Sequence, residues 1–208
     1  MGCVQSSPFA SRRRHDHITA VDSLVRQRRR HSKRLVPQHE FLSDDEKELV
    51  VATWHKLAND PVAIGIDVFL RIFDLAPDAR RAFPSFNDMS DSQLIDNVVF
   101  RSHATRFVRA VDFVMSNLDA LDVIVVENLV RLGRHHAAAV AEFRVEFLAV
   151  FEAAMTDVWA QRLGSQSFDA ATRHAWSKMF RLITSHVHDG FVEYRSSTTV
   201  IDAVSDVG

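Results

Sequence analysis

Residues 93–117, QLIDNVVFRSHATRFVRAVDFVMSN, carry the pattern that decides the fold. Their apolar side chains recur every three or four positions, which is typical of an amphipathic α-helix with one buried face. His103 falls on this face, together with Val99, Phe100, Phe107, Val111 and Val114. A single inward histidine is most often a core residue whose ring nitrogens make hydrogen bonds, so His103 alone does not indicate a ligand site.

The next helical stretch, predicted from about residue 123 to residue 136, carries a second candidate. His136 continues an apolar stripe at helical spacing, formed with Leu129, Leu132 and Val140. The adjacent His135 shares its face with Asn128 and Arg131, which predicts a solvent-exposed ring. Two inward histidines on consecutive helices can face each other across a slot, and this geometry holds a flat iron porphyrin by one or both axial positions.

A porphyrin slot also needs apolar and aromatic walls that displace water from the macrocycle. The segment Phe83-Pro84-Ser85-Phe86 supplies two rings in a tight turn, and Phe69 and Phe107 add two more near His103. The alternative is that the 15 phenylalanines of the chain simply fill a helical core. We predict that Phe83 in particular forms a wall of the slot.

The composition predicts an all-α fold, because long stretches are rich in helix-forming residues and the 208 residues include only 6 Gly and 5 Pro. Ser43 and Glu46 have the spacing of a capping box, so we expect the folded domain to begin there. Further helices are expected at about 62–75, 93–117, 123–136, 141–162 and 169–189, with a short turn-like helix at 77–83. Gly190 is predicted to be the last C-cap. We therefore divide the chain into an extension (1–41), one helical domain (42–194) and a short C-terminal tail (195–208).

The N-terminal extension differs from the domain in charge. Residues 1–38 contain nine Arg or Lys and two Asp, although the whole chain has a formal charge of -2. Few apolar residues occur there, which predicts a flexible segment. Its arginine clusters at 12–14 and 28–30 would also suit a nucleic-acid patch or a nuclear-import signal. Because no aromatic residues interleave with these arginines, we expect no nucleic acid partner.

Cys3 is the one cysteine, which excludes an internal disulfide and favours a reducing, cytosolic setting. The N-terminus shows no apolar stretch of the kind found in a secretory signal peptide. No apolar run approaches the roughly 18 residues of a membrane-spanning helix. Any membrane contact is therefore expected to be peripheral.

Several motifs, taken in this order, resemble the globin family. Leu75-Ala76-Pro77, with Phe83, Pro84 and Phe86 after it, resembles the interhelical corner whose phenylalanine packs on the haem. His103 and His136 match the distal and proximal histidines, and the runs Leu132-Gly133-Arg134-His135-His136 and Ala175-Trp176 resemble the neuroglobin-like branch. The similarity covers about residues 42–194. It implies a globin fold of seven to eight helices around a haem pocket, with haem b as the cofactor.

The first six residues, Met1-Gly2-Cys3-Val4-Gln5-Ser6, fit the pattern for N-myristoylation at Gly2, and Cys3 is placed for palmitoylation. A single acyl chain binds membranes only marginally without a second signal, and the basic residues that follow would supply one. A globin with an acylated Gly-Cys start resembles globin X and its invertebrate relatives. The expected location is the cytoplasmic side of the plasma membrane, attached to its inner leaflet, or otherwise the cytoplasm.

The resemblance implies a six-coordinate resting haem, in which His103 must release the iron before O2, NO, CO or nitrite can bind. Such a site favours redox sensing or signalling, electron transfer or nitrogen-oxide chemistry, with electrons from an unidentified reductase. An oxygen storage or transport globin with five-coordinate haem is one alternative, and a nitrite reductase or NO dioxygenase is another. If the two histidines are only core residues and no haem binds, the chain is instead a colourless interaction protein with a globin fold.

Two further residues on the helix of His103 bear on this expectation. Arg106, one turn after His103, is either the partner of a haem propionate or an exposed helix arginine. Phe107 stands where the family usually has a smaller aliphatic residue. Together with Phe69, it would crowd the distal side, which hinders either the entry of His103 or that of an external ligand.

Overall fold

The computed structural model describes residues 41–205, and every regular element between them is helical. The seven α-helices of this range are α1 (Asp44–Leu57), α2 (Pro61–Leu75), α3 (Asp91–Asp96), α4 (Val98–Met115), α5 (Val126–Ala139), α6 (Phe147–Ser167) and α7 (Ala170–Ser205). Shorter elements between them are 3₁₀ turns at Pro77–Ala82 and Leu118–Ala120 and a π-helical turn at Leu121–Val125. The prediction of an all-α fold of seven to eight helices is confirmed.

The basic extension that the sequence predicts falls almost entirely on residues 1–40, which lie outside the described part of the chain. The acylation sites Gly2 and Cys3 are among them. Within residues 41–205, no helix is both long enough and apolar enough to cross a lipid bilayer.

The predicted capping box at the start of α1 is confirmed. The amide of Glu46 donates to Oγ of Ser43 at 3.2 Å, and the amide of Ser43 donates to the Glu46 carboxylate at 2.8 Å. These bonds satisfy two of the amides that the first turn of a helix leaves without partners, a contribution of about 1 kcal/mol. A second capping box, between Ser90 and Gln93, begins α3.

The predicted helix over 93–117 is two helices, because the chain becomes extended at Asn97 (φ -74°, ψ 121°). The Asn97 side chain accepts a hydrogen bond from the amide of Phe100 at 2.9 Å and so caps α4. Phe100 is fully buried, as predicted, but Val99 is 52% exposed. The prediction that Val99 shares the buried face of His103 is therefore wrong, since the restarted helix leaves Val99 in its first turn on the solvent side.

All three tryptophans of the chain meet in one buried cluster that joins α1, α6 and α7. The ring centroids of Trp54, Trp159 and Trp176 lie 5.6–6.2 Å apart. The indole N–H of Trp54 donates to a carboxylate oxygen of Asp112 at 2.9 Å, and that of Trp176 donates to Oγ1 of Thr53 at 2.8 Å. This cluster fixes the two long helices against the first one and leaves the opposite side of α6 free to line the site.

The predicted C-cap at Gly190 is wrong, because α7 continues without a break from Ala170 to Ser205. Gly164, rather than Gly190, is the glycine with a positive φ (71°) among the described residues, and there the helical geometry of α6 breaks, close to the predicted boundary between the last two helices. Gly190 serves a different purpose: a Cβ built on it would lie 1.9 Å from the carbonyl oxygen of Val130. The absence of a side chain here permits contact between two helix backbones.

Candidate functional site

A cavity of about 540 Å³ lies between α4, α5, α6 and α7, and residues of α2 and of the turn after it also line the cavity. Its walls are almost entirely apolar, and the volume falls within the range of about 300–1,000 Å³ typical of cofactor sites. The predicted site residues found in the wall are Phe69, Phe83, His103, Arg106, Phe107, Leu132 and His136. The structure therefore brings together, in one cavity, residues from four separate segments of the sequence.

The ring of His103 projects from α4 between two aromatic edges. Its centroid lies 4.9 Å from that of Phe69 and 4.8 Å from that of Phe83, and both contacts are edge-to-face. Phe69 comes from α2 and Phe83 from the residue that follows the 3₁₀ turn, so two elements hold the ring from different sides. Contacts of this kind fix an imidazole by shape without consuming its nitrogen atoms.

Burial is the main cause that lowers the pKa of His103 to about 4, and the nearby side chains of Arg106 and His136 contribute to the same shift. The ring is consequently neutral at physiological pH, because desolvation disfavours the charged form. A neutral imidazole carries one nitrogen with a free lone pair, as metal ligation requires.

His136 projects from α5 into the same cavity. Its Nδ1 lies 2.9 Å from the carbonyl oxygen of Leu132, four residues earlier on the helix. A carbonyl oxygen can only accept, so Nδ1 carries the proton and Nε2 keeps its lone pair. Burial lowers the pKa of His136, although the bond to Leu132 opposes this shift. The backbone of α5 therefore fixes both the orientation and the tautomer of the ring, as is usual for metal-binding histidines.

His135 is exposed, as predicted, although its side chain also contributes to the lining of the cavity. Arg106 is also exposed at the rim, where its Nη1 donates to Oγ of Ser102 at 3.2 Å and its Nη2 lies 3.4 Å from Nδ1 of His103. An arginine at the open edge of an apolar cavity suits an anionic group on the periphery of a bound ligand.

Phe86 is the predicted site residue that does not line the cavity. It is 3% exposed and stacks on Phe83 with ring centroids 5.0 Å apart. Its other face meets Phe100 at 5.4 Å. Phe86 therefore supports the wall from behind and does not form it, because the turn directs its ring toward α4.

Two phenylalanines of the wall were not predicted. The ring of Phe143 lies 4.9 Å from that of His136, and the ring of Phe151 lies 5.6 Å from Phe69 and 5.7 Å from Phe107. Phe143 was not identified because the sequence predicted a helix from residue 141. In the structure, residues 140–146 are irregular or form turns, and α6 begins only at Phe147. For Phe151, the helical spacing from Phe147 and Met155 was available as a signal.

This arrangement fits an iron porphyrin. Two neutral imidazoles face one apolar cavity, aromatic edges surround one of them, and a guanidinium stands at the rim, where the porphyrin's carboxylates would reach solvent. His136 and His103 would hold the iron from its two sides, and Arg106 is placed to meet a propionate. No covalent bond to the protein is needed for this mode of binding.

Comparisons with known proteins identify the relatives of this chain. The globin family model matches residues 66–187. Neuroglobin of Dissostichus mawsoni is 28% identical over 155 residues, which span 74% of this chain and 95% of that protein. Cytoglobin-2 of Danio rerio is 26% identical over 157 residues, spanning 74% of this chain and 85% of that protein.

Among solved structures, a hexacoordinated haem protein from an anhydrobiotic tardigrade superposes with a TM-score of 0.67 at 22% identity. The match covers 72% of this chain and 95% of that one, and it shows the same fold. The family model covers more than half of the chain, including both cavity histidines. The chain belongs to the globin family.

Proposed function

We propose that this globin binds haem b between two histidines, with His136 as the proximal iron ligand and His103 as the distal one. The observation that carries the proposal is that both imidazoles are neutral, half-buried and directed into one apolar cavity. Globins bind haem and diatomic gases such as O2, and the tardigrade protein of the same fold is named as hexacoordinated.

The form of the haem follows from the cysteine content. Covalent attachment in c-type proteins uses cysteines in a C-x-x-C-H motif. The one cysteine of this chain is Cys3, far from both histidines in sequence. Haem b, held by its axial ligands and by apolar contacts, is therefore the form that the chain can retain.

When bound, the haem supplies one-electron exchange and a position for small ligands on the iron. His103 must leave that position before an external ligand enters, so the apparent affinity falls in proportion to the fraction of open protein. The phenylalanine edges around His103 exclude water from that side of the cavity, which suppresses side reactions with water. These properties favour redox sensing or signalling, electron transfer or nitrogen-oxide chemistry, with reversible binding of O2 or NO and a reductase as electron source.

A five-coordinate globin for oxygen storage or transport is the second candidate, and Phe107 is the observation that favours it. Its ring lies 5.7 Å from both Phe69 and Phe151, so three aromatic rings occupy the distal side. Such crowding opposes the movement of His103 toward the iron. Nitrite reduction and NO dioxygenation are the alternative enzymatic functions for either state, since both reactions use the same pocket.

The test is the visible spectrum of the purified ferrous protein without added ligand, compared with that of His103→Leu. Sharply split visible bands that collapse to one broad band in His103→Leu would support two histidine ligands. One broad band in both proteins would refute the six-coordinate state and favour oxygen binding. A protein that takes up no haem would refute the proposed function altogether.

We further propose that Gly2 and Cys3 are acylated and attach the globin to the inner leaflet of the plasma membrane. The support lies in the sequence: the N-terminal Met-Gly-Cys start, a serine at position 6 and the basic residues that follow. The test is metabolic labelling with clickable myristate and palmitate in eukaryotic cells, followed by membrane fractionation. Gly2→Ala should remove both labels and release the protein, and Cys3→Ser should remove only palmitate. Unlabelled, cytoplasmic wild type would refute attachment.

A further inference from the structure

Helices α5 and α7 touch backbone to backbone at two reciprocal glycines. A Cβ built on Gly133 of α5 would lie 2.0 Å from the carbonyl oxygen of Val187, and one built on Gly190 of α7 would lie 1.9 Å from that of Val130. Ordinary contacts of a Cβ begin at about 3.4 Å, so neither position admits any side chain. Each glycine directs a Cα hydrogen at a carbonyl of the other helix, the geometry of a weak Cα–H···O bond.

This crossing stands one helical turn from the proximal histidine. His136 follows Gly133 by three residues on α5, and its Nδ1 is bonded to the carbonyl of Leu132, which immediately precedes Gly133. A displacement of α5 from α7 at the crossing therefore moves the carbonyl that orients the ring. The ring and its backbone acceptor would shift together.

A second contact connects α7 with the face of the same ring. The ring centroid of Phe191, the residue after Gly190, lies 5.5 Å from that of Phe143, which in turn lies 4.9 Å from that of His136. Phe191 is 9% exposed, whereas Phe143 and His136 are partly buried, so the row runs from the core toward the cavity. Phe143 belongs to the irregular segment between α5 and α6, and its ring also contacts Phe147 of α6 with centroids 6.3 Å apart.

A third contact lies at the surface. The guanidinium of Arg134 on α5 is 2.8 Å from the carboxylate of Glu193 on α7, and both side chains are about half exposed. A pair of this kind contributes little energy. It nevertheless aligns the same two helix segments, one residue after Gly133 and three residues after Gly190.

We propose that residues 187–193 of α7 are the positioning element of the proximal iron ligand, through the glycine crossing and the ring row Phe191–Phe143–His136. This inference rests on the proposed function, and it concerns how firmly His136 holds the iron rather than whether haem binds. Its functional consequence concerns nitric oxide, which would weaken the bond between His136 and a bound haem iron. A rigid crossing would help His136 to remain bound under that condition.

The test compares Gly190→Ala with wild type by electron paramagnetic resonance of the ferrous protein with nitric oxide. The added methyl group must push α5 away, so the ratio of five- to six-coordinate nitric oxide complex should rise about tenfold, equivalent to ~1.4 kcal/mol. The iron–histidine stretching band of a His103→Leu background should shift to lower frequency with the same substitution. A merely destabilised fold would change neither signature in the haem-loaded fraction.

Gly65→Ala is the matched control. A Cβ at Gly65 would lie 2.5 Å from the carbonyl oxygen of Ala104, the residue after His103, so the steric conflict is similar but lies at the crossing of α2 with α4. This variant should alter the share of haem bound by His103 and leave the iron–histidine stretching band of His136 unchanged. Equal effects of the two variants on that band would overturn the proposal.

Phe191→Ala and Phe191→Leu keep the test decisive where Gly190→Ala does not fold. Loss of the ring should raise the five-coordinate nitric oxide complex, and Leu should restore most of the wild-type ratio. In the haem-free protein, hydrogen exchange of the α5 amides should accelerate in Phe191→Ala. An unchanged ratio and unchanged exchange would refute the inference even if wild type binds haem through both histidines, whereas a wild type without haem refutes the proposed function instead.

Discussion

Nη2 of Arg106 lies 3.4 Å from Nδ1 of His103, and this contact and iron binding by His103 are alternatives. A guanidinium can only donate, so Nδ1 of His103 accepts and the proton resides on Nε2. A nitrogen that carries a proton has no lone pair for iron. When Arg106 holds Nδ1, His103 can therefore donate a hydrogen bond through Nε2 but cannot ligate a metal through that atom.

Replacing Arg106 with Met should raise the six-coordinate fraction of the ferrous protein. Loss of one charged hydrogen bond of about 1 kcal/mol frees Nδ1 to carry the proton and Nε2 to bind iron, which corresponds to a change of about fivefold. The visible bands at equilibrium measure that fraction. Arg109→Met, an exposed arginine on the same helix, is the control and should have no effect. A lower six-coordinate fraction in Arg106→Met would contradict the tautomer argument.

Replacing His136 with Ala should abolish stable haem retention, while the same change at His135 should preserve it. His136 is half-buried and oriented by the Leu132 carbonyl, whereas the adjacent ring is exposed at the rim. Gel filtration followed by the ratio of Soret to protein absorbance measures retained haem. Equal loss of haem in the two variants would show that the assignment of the inward ring on α5 is mistaken.

The haem-free protein should lose stability as the pH falls from about 6.5 toward 4. The pKa of His103 is lowered to about 4 in the folded chain, and that of His136 is also lowered, so the unfolded chain binds more protons in this window. Each of these two rings then lowers the free energy of unfolding by up to ~1.4 kcal/mol for each unit by which the pH falls. Below about pH 4, His103 is protonated in both states and its contribution to the slope vanishes.

Urea denaturation of the haem-free protein at several pH values between 7 and 4.5 measures this slope. In His103→Phe, the part that comes from His103 should be absent, because phenylalanine does not titrate. A slope identical to that of wild type would show that other groups produce the acid sensitivity.

Phe107→Leu should make the distal side more accessible. Its ring contacts Phe69 and Phe151, and the smaller side chain removes both ring contacts. We expect a higher six-coordinate fraction in the ferrous protein and faster bimolecular recombination with carbon monoxide after flash photolysis. Phe113→Leu on the same helix, 37% exposed and away from the cavity, is the matched control. Unchanged recombination in Phe107→Leu would show that the crowding at this position has no kinetic effect.

Much of the site follows from local periodicity. The turn spacing of α4 and α5 directs His103 and His136 inward, and the same spacing separates His136 from the exposed His135. Phe86 was misassigned because a turn sets ring direction by its backbone angles, which periodicity does not report. Phe143 was missed for the same reason, since it lies between two helices rather than on one.

Gly190 shows a different limit of the sequence. A glycine near the expected end of a helix predicts a C-cap, because helices often end in the left-handed conformation. Here, glycine is required because the backbone of α5 packs directly against this position. The contacting residue, Val130, lies more than fifty residues earlier in the chain. Local sequence patterns cannot predict such a contact. The role of the reciprocal glycine, Gly133, is likewise apparent only from the packing of α5 against α7.

The clustering of Trp54, Trp159 and Trp176 gives the protein a built-in optical reporter. Because these three indoles are the only ones in the chain and share one buried site, their emission comes from a single environment. Met155, one turn before Trp159 on α6, lines the cavity, so a haem bound there would be close enough to accept their excitation energy. Fluorescence should then be quenched in the loaded protein and recover as haem departs, which allows haem transfer to be timed without any attached dye.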